Sequence, residues 1–270
     1  MRRLLAISVA GLMATFVCSS IARAQAGDAL NNTLYTRLNK DPSTGGPAPA
    51  RDLSGAWAGP LNAVNTEEIP PLTPRGQKLF GMNKPEAKFG TSGSNDPLNY
   101  CDPLGMPRNL VFETRGLAFS TMPGKVVVLH QYQKVWREVW MDGRELPKNI
   151  DTKGGPESRW YGYSVGHWED DHTLVIDSTG SDDRSWLDTA GHPHSTSAHI
   201  QEKYVRADHN HLSVIVTVDD PTLYTKPFVL ARVNYRWIPS QETEDQFCIP
   251  SEAISYMQSI AEPAGPGSPK

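Results

Sequence analysis

Residues 123–143 read PGKVVVLHQYQKVWREVWMDG, and this stretch decides the fold class. β-Branched and aromatic residues fill 125–132 and 134–141, which predicts two strands. The turn formers Pro123-Gly124 and Asp142-Gly143 bound them. Because no long amphipathic helix separates the two strands, they should pair as antiparallel neighbours.

The same succession of strands and turns continues on both sides of this stretch. Turn signals such as Asp170-Asp171 and Asp208-His209-Asn210 separate the strands at hairpin spacing. The number of short strands suits either a barrel closed on itself or a two-sheet sandwich. The further predicted strands are 53–57, 109–115, 117–122, 160–169, 173–179, 197–206, 212–219 and 228–238.

Prolines interrupt the segment between 60 and 107 and forbid long regular elements there. One short helix is predicted from Thr73 to Phe80, with Thr73 as N-cap and Pro74 at the first helical position. The rest of this segment is expected to form an ordered loop layer.

Composition limits the class of protein. The chain has 270 residues, 38% of them apolar, which is enough for a hydrophobic core. Its 26 Lys and Arg are dispersed and the formal net charge is −4, so we expect no nucleic-acid partner. No apolar run beyond the N-terminus reaches the roughly 20 residues that span a bilayer, so we expect no membrane insertion of the mature chain.

The N-terminus has the parts of a secretory signal peptide. Arg2-Arg3 is cationic, residues 4–17 are mostly apolar, and Ala24-Gln25-Ala26 is a small-x-small cleavage site. The alternatives are an uncleaved anchor, for which the run is short, and a lipoprotein modified at Cys18. We expect export to the periplasm with removal of 1–26, followed by a flexible arm at 27–50, one β-barrel domain at 51–258 and a disordered tail at 259–270.

Loss of the signal would leave two cysteines, Cys101 and Cys248. In an oxidising compartment, two cysteines allow one disulfide. We expect this bridge to join the loop layer to the C-terminal segment. Two unpaired buried thiols are the alternative.

Several motifs carry a resemblance to known proteins. Gly55-Ala56-Trp57 looks like the Gly-x-Trp signature of lipocalin-type barrels, in which the Trp closes one end and a ligand cavity opens at the other. Further along, the chain resembles a large family of uncharacterised exported bacterial proteins over most of 52–255. The motifs are WYGYSVG (160–166), DRSWLD (183–188), HS (194–195), DDP (219–221) and YTKP (224–227).

The resemblance implies a lipocalin-like barrel and no particular reaction. Taken with the strand pattern, it leads us to predict an all-β fold, an antiparallel up-and-down barrel. A Pro-rich loop layer and at most one or two short helices should accompany the barrel.

The densest group of ionisable residues lies between 182 and 202. Acid–base catalysis needs a proton carrier near neutrality, a carboxylate that orients it and a cation for developing negative charge. His194 would move the proton, Asp183 or Glu202 would orient it, and Arg184 would stabilise the anion. The alternative is a loop of turn-forming residues with solvated histidines.

The group His192, His194 and His199, together with Glu202, also suggests a metal site. Pro193 constrains the first pair, however, and strand alternation would turn His199 away from Glu202. We expect no metal. Phosphate-loop, dinucleotide and Gly-x-Ser-x-Gly motifs are missing from the sequence, so we expect no other cofactor.

Other residues could line a ligand cavity. His130 shares a face of its strand with Val126 and Val128, while Trp136 and Arg137 lie on opposite faces of the next strand, and either of those faces could form a wall. Each of these residues also has a purely structural explanation. The expected ligand-binding set is His130, Trp136, Arg137, Tyr161, Tyr163, Trp186, Tyr224 and Lys226.

Two functional hypotheses follow. The first is an exported, cofactor-independent lyase, hydratase or isomerase that acts by acid–base catalysis on a small hydrophobic or aromatic compound in the barrel cavity. The second is a non-catalytic carrier that holds such a ligand in the same cavity. Convergence of His194, Asp183, Arg184 and Glu202 on one pocket would favour the enzyme.

Overall fold

Nine strands, neighbours in chain order, close into a barrel in the computed structural model, which describes residues 45–59, 69–111, 116–239 and 245–265. The predicted all-β barrel is confirmed. The predicted signal peptide at 1–26 and most of the arm at 27–50 lie outside the described residues. The strands are β1 (Gly55–Ala58), β2 (Gly116–Met122), β3 (Lys125–His130), β4 (Trp136–Trp140), β5 (Tyr163–Trp168), β6 (Thr173–Thr179), β7 (His199–Arg206), β8 (His211–Asp219) and β9 (Phe228–Trp237).

The closed sheet contains one parallel pair of neighbours. Strands that alternate in direction can close only when their number is even, so a barrel of nine strands must bring two strands of the same direction together. These are β4 and β5, whereas all other neighbouring strands pair antiparallel. Residues 141–162 form the long crossover that a parallel connection needs. We call this contact the β4–β5 seam.

Alternating side chains fill the barrel. β7 and β8 alternate between buried and partly exposed residues along their lengths, as strands with one face on a core do. Leu212, Val214 and Val216 of β8 face the interior together with Ile200 of β7. The same alternation places the carboxylate of Glu202 inside the barrel, where it is fully buried.

Trp57, which the sequence places in the first strand, lies in β1 and is fully buried. Trp57 Nε1–H donates to the Leu53 carbonyl oxygen (2.9 Å), and the Arg206 guanidinium lies 4.9 Å from the ring centre. Arg206 also donates to the Asp52 carbonyl oxygen (2.6 Å). These contacts hold the start of β1 against the end of β7.

Short helical segments surround the barrel. α1 contains the predicted helix: Thr73 is its N-cap and accepts from the Gly76 N–H (3.2 Å), and Pro74 begins the helix. The other segments outnumber the one or two predicted, but each is shorter than α1. No helix in the described ranges is long and apolar enough to cross a membrane. The segments are α1 (Pro74–Met82), α2 (Glu86–Phe89), a 3₁₀ turn (Pro97–Tyr100), α3 (Arg108–Val111), α4 (Pro250–Tyr256), a π-helical turn (Met257–Ala261) and α5 (Glu262–Ala264).

The prediction of a strand over 109–115 is wrong for its first residues, which belong to α3. Residues 112–115 lie outside the described part of the chain. The Leu110 N–H donates to the Pro107 carbonyl oxygen (2.8 Å), and the buried Arg108 guanidinium makes two bonds to the Asp96 carboxylate (2.8 and 2.6 Å). A run of strand-forming residues reflects only local propensity. It cannot indicate that Arg108 pairs with Asp96 of the loop layer, 12 residues earlier in the chain.

The predicted disulfide between Cys101 and Cys248 is confirmed. It spans a sequence separation of 147 residues and joins the loop layer to the segment before α4. In the chain-entropy treatment, closing a loop of this length stabilises the fold by about 5 kcal/mol. Helical structure continues past the predicted domain end at 258, and Met257 and Ala261 are buried against the rest of the chain.

Candidate ligand-binding site

A pocket opens at the β4–β5 seam. The two strands meet at one residue pair, Trp140 and Val165, whereas β7 and β8 pair along their whole lengths. Residues of β4, of β5 and of the crossover border the pocket, whose volume is about 600 Å³. Small-molecule sites in proteins have volumes of about 300–1,000 Å³.

Aromatic side chains from both strands and the crossover line this seam pocket. On β4, Trp136 points outward and is 65% exposed, whereas Arg137 and Val139 are buried on the inward face. The tryptophan face of β4 therefore forms the pocket wall, and Arg137 lies between the pocket and the barrel interior. The aromatic lining residues are Trp136, Trp140, Trp160, Tyr161 and Tyr163.

Cations lie over several of these rings. The guanidinium carbon of Arg144 is 3.6 Å from the centre of the Trp140 ring, and that of Arg159 is 4.2 Å from the centre of the Tyr163 ring. Lys125 Nζ lies 4.5 Å from the Trp140 ring centre. Because the electron-rich ring face attracts a cation, each contact helps to hold both side chains in position.

Arg137 connects the seam pocket to a polar network inside the barrel. Its Nη1 and Nη2 donate to the two oxygens of Glu202 (2.5 and 2.7 Å), and Tyr204 OH donates to Glu202 Oε2 (2.9 Å). The hydroxyls of Ser164 and Ser178 lie 2.8 Å apart beside Arg137. Burial raises the pKa of Tyr204, and the Glu202 carboxylate raises it further, so the phenol remains a donor.

His130 lies in the barrel interior and does not line the seam pocket. Burial and the nearby charge of Arg137 lower the pKa of His130 to about 3. The imidazole is therefore neutral and a weak base at physiological pH. Its Nε2 has no hydrogen-bond partner among the described residues.

His194 is buried in the loops around residues 182–195. His194 Nδ1 lies 3.2 Å from the Ser195 carbonyl oxygen, and because a carbonyl oxygen can only accept, Nδ1–H is the donor. His194 Nε2 lies 2.9 Å from the Ser185 hydroxyl, which is also 2.8 Å from the Asp182 carbonyl oxygen. A general base must reach the bound ligand, but His194 is buried and does not line the seam pocket. Burial also lowers the pKa of His194, and Ser185 is itself buried, so this contact is structural.

The other predicted catalytic residues lie apart from one another. Asp183 is exposed, and the exposed Arg184 pairs with Asp182 (2.6 Å) and stacks on Trp160 at 4.3 Å. Glu202 lies inside the barrel with Arg137. The structure therefore does not bring His194, Asp183, Arg184 and Glu202 to one pocket.

Four predicted ligand-binding residues do meet at the seam pocket: Trp136, Arg137, Tyr161 and Tyr163. The remaining ones lie elsewhere. Trp186 is buried 5.6 Å from the Arg108 guanidinium, Tyr224 is buried and donates to the Pro193 carbonyl oxygen (2.7 Å), and Lys226 is exposed.

The histidines near 192–199 each have a separate partner. His192 contacts Asp188 (2.7 Å) and stacks on Phe80, with ring centres 4.8 Å apart. His199 contacts Asp177 (2.8 Å), and this hydrogen bond raises the pKa of His199. Within the described ranges, no group of three or more His, Cys, Asp or Glu could hold a metal ion.

A second pocket of about 540 Å³ shares Pro147 of the crossover with the first. Its lining residues include Asp183, Lys148 and several serines and threonines but no aromatic side chain. This polar wall does not suit the hydrophobic or aromatic ligand that the sequence suggests.

Sequence reasoning found Tyr161 of the crossover but missed most of the other residues that the crossover contributes to the seam pocket. Arg144, Arg159 and Trp160 of the crossover line the pocket, as does Trp140 of β4, but none belongs to the predicted ligand-binding set. The Asp142-Gly143 turn was a usable signal, because a chain reversal directly after β4 brings Arg144 back over Trp140.

Comparisons with protein-family models, with curated proteins and with solved structures find no match for this chain.

Proposed function

We propose that this protein binds a small aromatic or hydrophobic molecule in the seam pocket and acts as a carrier. The observation that carries the proposal is the aromatic wall at the β4–β5 seam, where the two strands meet at a single residue pair. Aromatic side chains supply large, rigid contact surfaces for a flat ligand. The exposed indole of Trp136 would gain most, because a bound ligand would remove its apolar surface from water.

The ionisable groups of the pocket favour a carrier over an enzyme. Acid–base catalysis needs a group that exchanges protons near neutral pH in contact with the ligand. The described lining residues include no histidine. The lining carboxylates Glu138 and Glu145 are each held in an ion pair, with Lys125 (2.7 Å) and Lys148 (3.0 Å).

The test is fluorescence titration with N-phenyl-1-naphthylamine, a neutral aromatic probe. We expect saturable binding by the native protein and about tenfold weaker binding by Trp136→Ala, since about 1.4 kcal/mol of apolar contact would be lost. Tyr256→Ala is the matched control, because Tyr256 is an exposed aromatic on α4, outside the pocket lining. Equal affinities of the two variants would contradict the proposal.

One observation favours the alternative, a cofactor-independent lyase, hydratase or isomerase. Arg137 lines the pocket and also contacts Glu202, which Tyr204 contacts in turn, so a ligand at the inner wall would meet an ionised network. Incubation with an extract of the host, followed by mass spectrometry, separates the two functions. An enzyme would consume a compound, whereas a carrier would co-purify with it unchanged.

We also propose that the protein works outside the cytoplasm. The Cys101–Cys248 disulfide supports this location, because such bonds persist in oxidising compartments. The intact mass of protein isolated from the periplasm should lack residues 1–26. A mass that retains them would contradict the proposal.

A further inference from the structure

All but one of the charged side chains that line the seam pocket belong to an ion pair among the described residues. Within the described part of the chain, four of the lining residues each have a partner of opposite charge. The pairs are Arg137 with Glu202 (2.5 Å), Glu138 with Lys125 (2.7 Å), Arg144 with Asp142 (2.6 Å) and Glu145 with Lys148 (3.0 Å). These four pairs therefore contribute no net charge to the pocket wall.

Arg159 is the lining residue that remains. No salt bridge joins its guanidinium to a carboxylate among the described residues, and the side chain is exposed. It stacks on Tyr163 at 4.2 Å, a contact that leaves its charge uncompensated. The seam pocket therefore carries one free positive charge at Arg159.

The backbone holds this arginine in position. The Arg159 N–H donates to the Gly180 carbonyl oxygen (2.9 Å), and the Arg159 carbonyl oxygen accepts from the N–H groups of Gly162 (3.0 Å) and Asp182 (2.9 Å). The ring beneath the guanidinium is also held, because Tyr163 OH donates to the Glu157 carbonyl oxygen (2.8 Å). A charge that is already positioned binds a ligand at a smaller entropic cost.

The inner wall adds a second donor without an acceptor. Arg137 is 4% exposed, and its Nε–H has no hydrogen-bond partner among the described residues. Buried donors are normally paired, so a lone one within a pocket wall suits a ligand that accepts hydrogen bonds. The uncompensated charge of Arg159 thus favours an acidic group on the ligand, whereas the charge of Arg137 is balanced by Glu202 and only its Nε–H is left for an acceptor.

We propose that the ligand is an aromatic monoanion, a carboxylate or sulfonate, whose acidic group pairs with Arg159 while its ring lies against the tryptophans of β4. The inference rests on the proposed binding function. A guanidinium offers two parallel N–H donors, a geometry that matches the two oxygens of such an anion. One free cation matches one negative charge on the ligand.

The experiment compares two probes that differ in charge. 1-Anilinonaphthalene-8-sulfonate is the anion, and N-phenyl-1-naphthylamine is the same aromatic skeleton without the sulfonate. We expect the native protein to bind the anion about tenfold more tightly, as one charge-assisted contact allows. Arg159→Gln should remove this preference and leave the neutral probe unaffected, and Arg159→Lys should restore part of it.

Arg51→Gln is the control for net charge, since Arg51 is an exposed arginine paired with Asp171 (3.1 Å) and does not line the pocket. It should retain the preference for the anion. Circular dichroism should show that each variant is folded.

Three results are distinguishable. Loss of the preference for the anion in Arg159→Gln, but not in Arg51→Gln, supports the inference. Equal affinity of the native protein for both probes, or loss of the preference in Arg51→Gln as well, overturns the inference and leaves the binding function standing. Failure of both probes to bind contradicts the proposed function itself.

Discussion

At the scale of single residues, two glutamates show how burial changes the role of an ion pair. Glu202 is fully buried, and both of its oxygens accept hydrogen bonds from Arg137. Moving an unpaired ion from water into a protein interior costs several kcal/mol, so each partner makes the burial of the other possible. Glu138 pairs with Lys125 at 2.7 Å, but 42% of its side chain is exposed.

The two pairs should therefore respond differently to loss of the carboxylate. We expect Glu202→Gln to lower the free energy of unfolding by about 3–5 kcal/mol, because it leaves Arg137 charged and uncompensated inside the barrel. Glu138→Gln should lower it by about 0–1 kcal/mol, since solvent screens that pair. Urea denaturation measures both values. Similar losses would show that the interior pair is hydrated and contributes no more than the surface pair.

The residue pattern of β4 predicts that the strand lines a cavity, but it does not indicate which of the two faces of the strand does so. Trp136 with Trp140, and Arg137 with Val139, are both acceptable interior faces when the strand is read alone. The choice depends on Glu202, which lies 65 residues further along the chain and accepts from Arg137. His194 shows the same limit, because its hydrogen-bond partner Ser185 gives it a structural role that composition does not reveal.

At the scale of elements, strands were predictable wherever the signal is local. The predicted strands 125–132, 173–179 and 212–219 contain or coincide with most of β3, β6 and β8, because alternation and turn residues are properties of neighbouring positions. The β4–β5 seam was not predictable in this way. It arises from the odd number of strands, which is a property of the closed sheet.

Two glycines of α1 offer a matched test of how that helix packs. A Cβ added at Gly76 would lie 2.3 Å from the Leu223 carbonyl oxygen, whereas one at Gly81 would have no atom within 4 Å. We expect Gly76→Ala to destabilise the protein by about 1–3 kcal/mol, because the helix must move away from the backbone at Leu223. Gly81→Ala should be neutral or stabilise by up to about 1 kcal/mol through helix propensity. Thermal unfolding compares them, and a stabilised Gly76→Ala protein would show that α1 does not pack on this loop.

At the scale of the whole molecule, closure of the barrel keeps water from its polar interior. His130, Arg137 and Glu202 are all buried within one closed sheet, and burial together with the charge of Arg137 lowers the pKa of His130. Protonation of His130 would place a second cation beside Arg137 in a medium that solvates charge poorly. Acidification should therefore destabilise the fold by protonating His130 in the barrel interior as well as by protonating surface carboxylates.

The sign of this effect follows from the two pKa values of His130, about 6.5 when unfolded and about 3 in the folded barrel. Below pH 6.5 the unfolded chain takes up a proton that the folded chain does not, so the free energy of unfolding falls as the pH drops from 6.5 towards 3. We expect native protein to lose about 2 kcal/mol more than His130→Gln between pH 6.5 and about 4.5, measured by urea denaturation at each pH.

His199→Gln is the control for this prediction, because the bond to Asp177 raises the pKa of His199 and gives it the opposite sign. The stability that His199 supplies is present below its unfolded pKa and is lost as the pH rises through its folded pKa. His199→Gln should therefore lose more stability than native protein on acidification, whereas His130→Gln should lose less. Parallel curves for His130→Gln and native protein would mean that His130 is already hydrated in the folded state, and that the barrel interior is open to water.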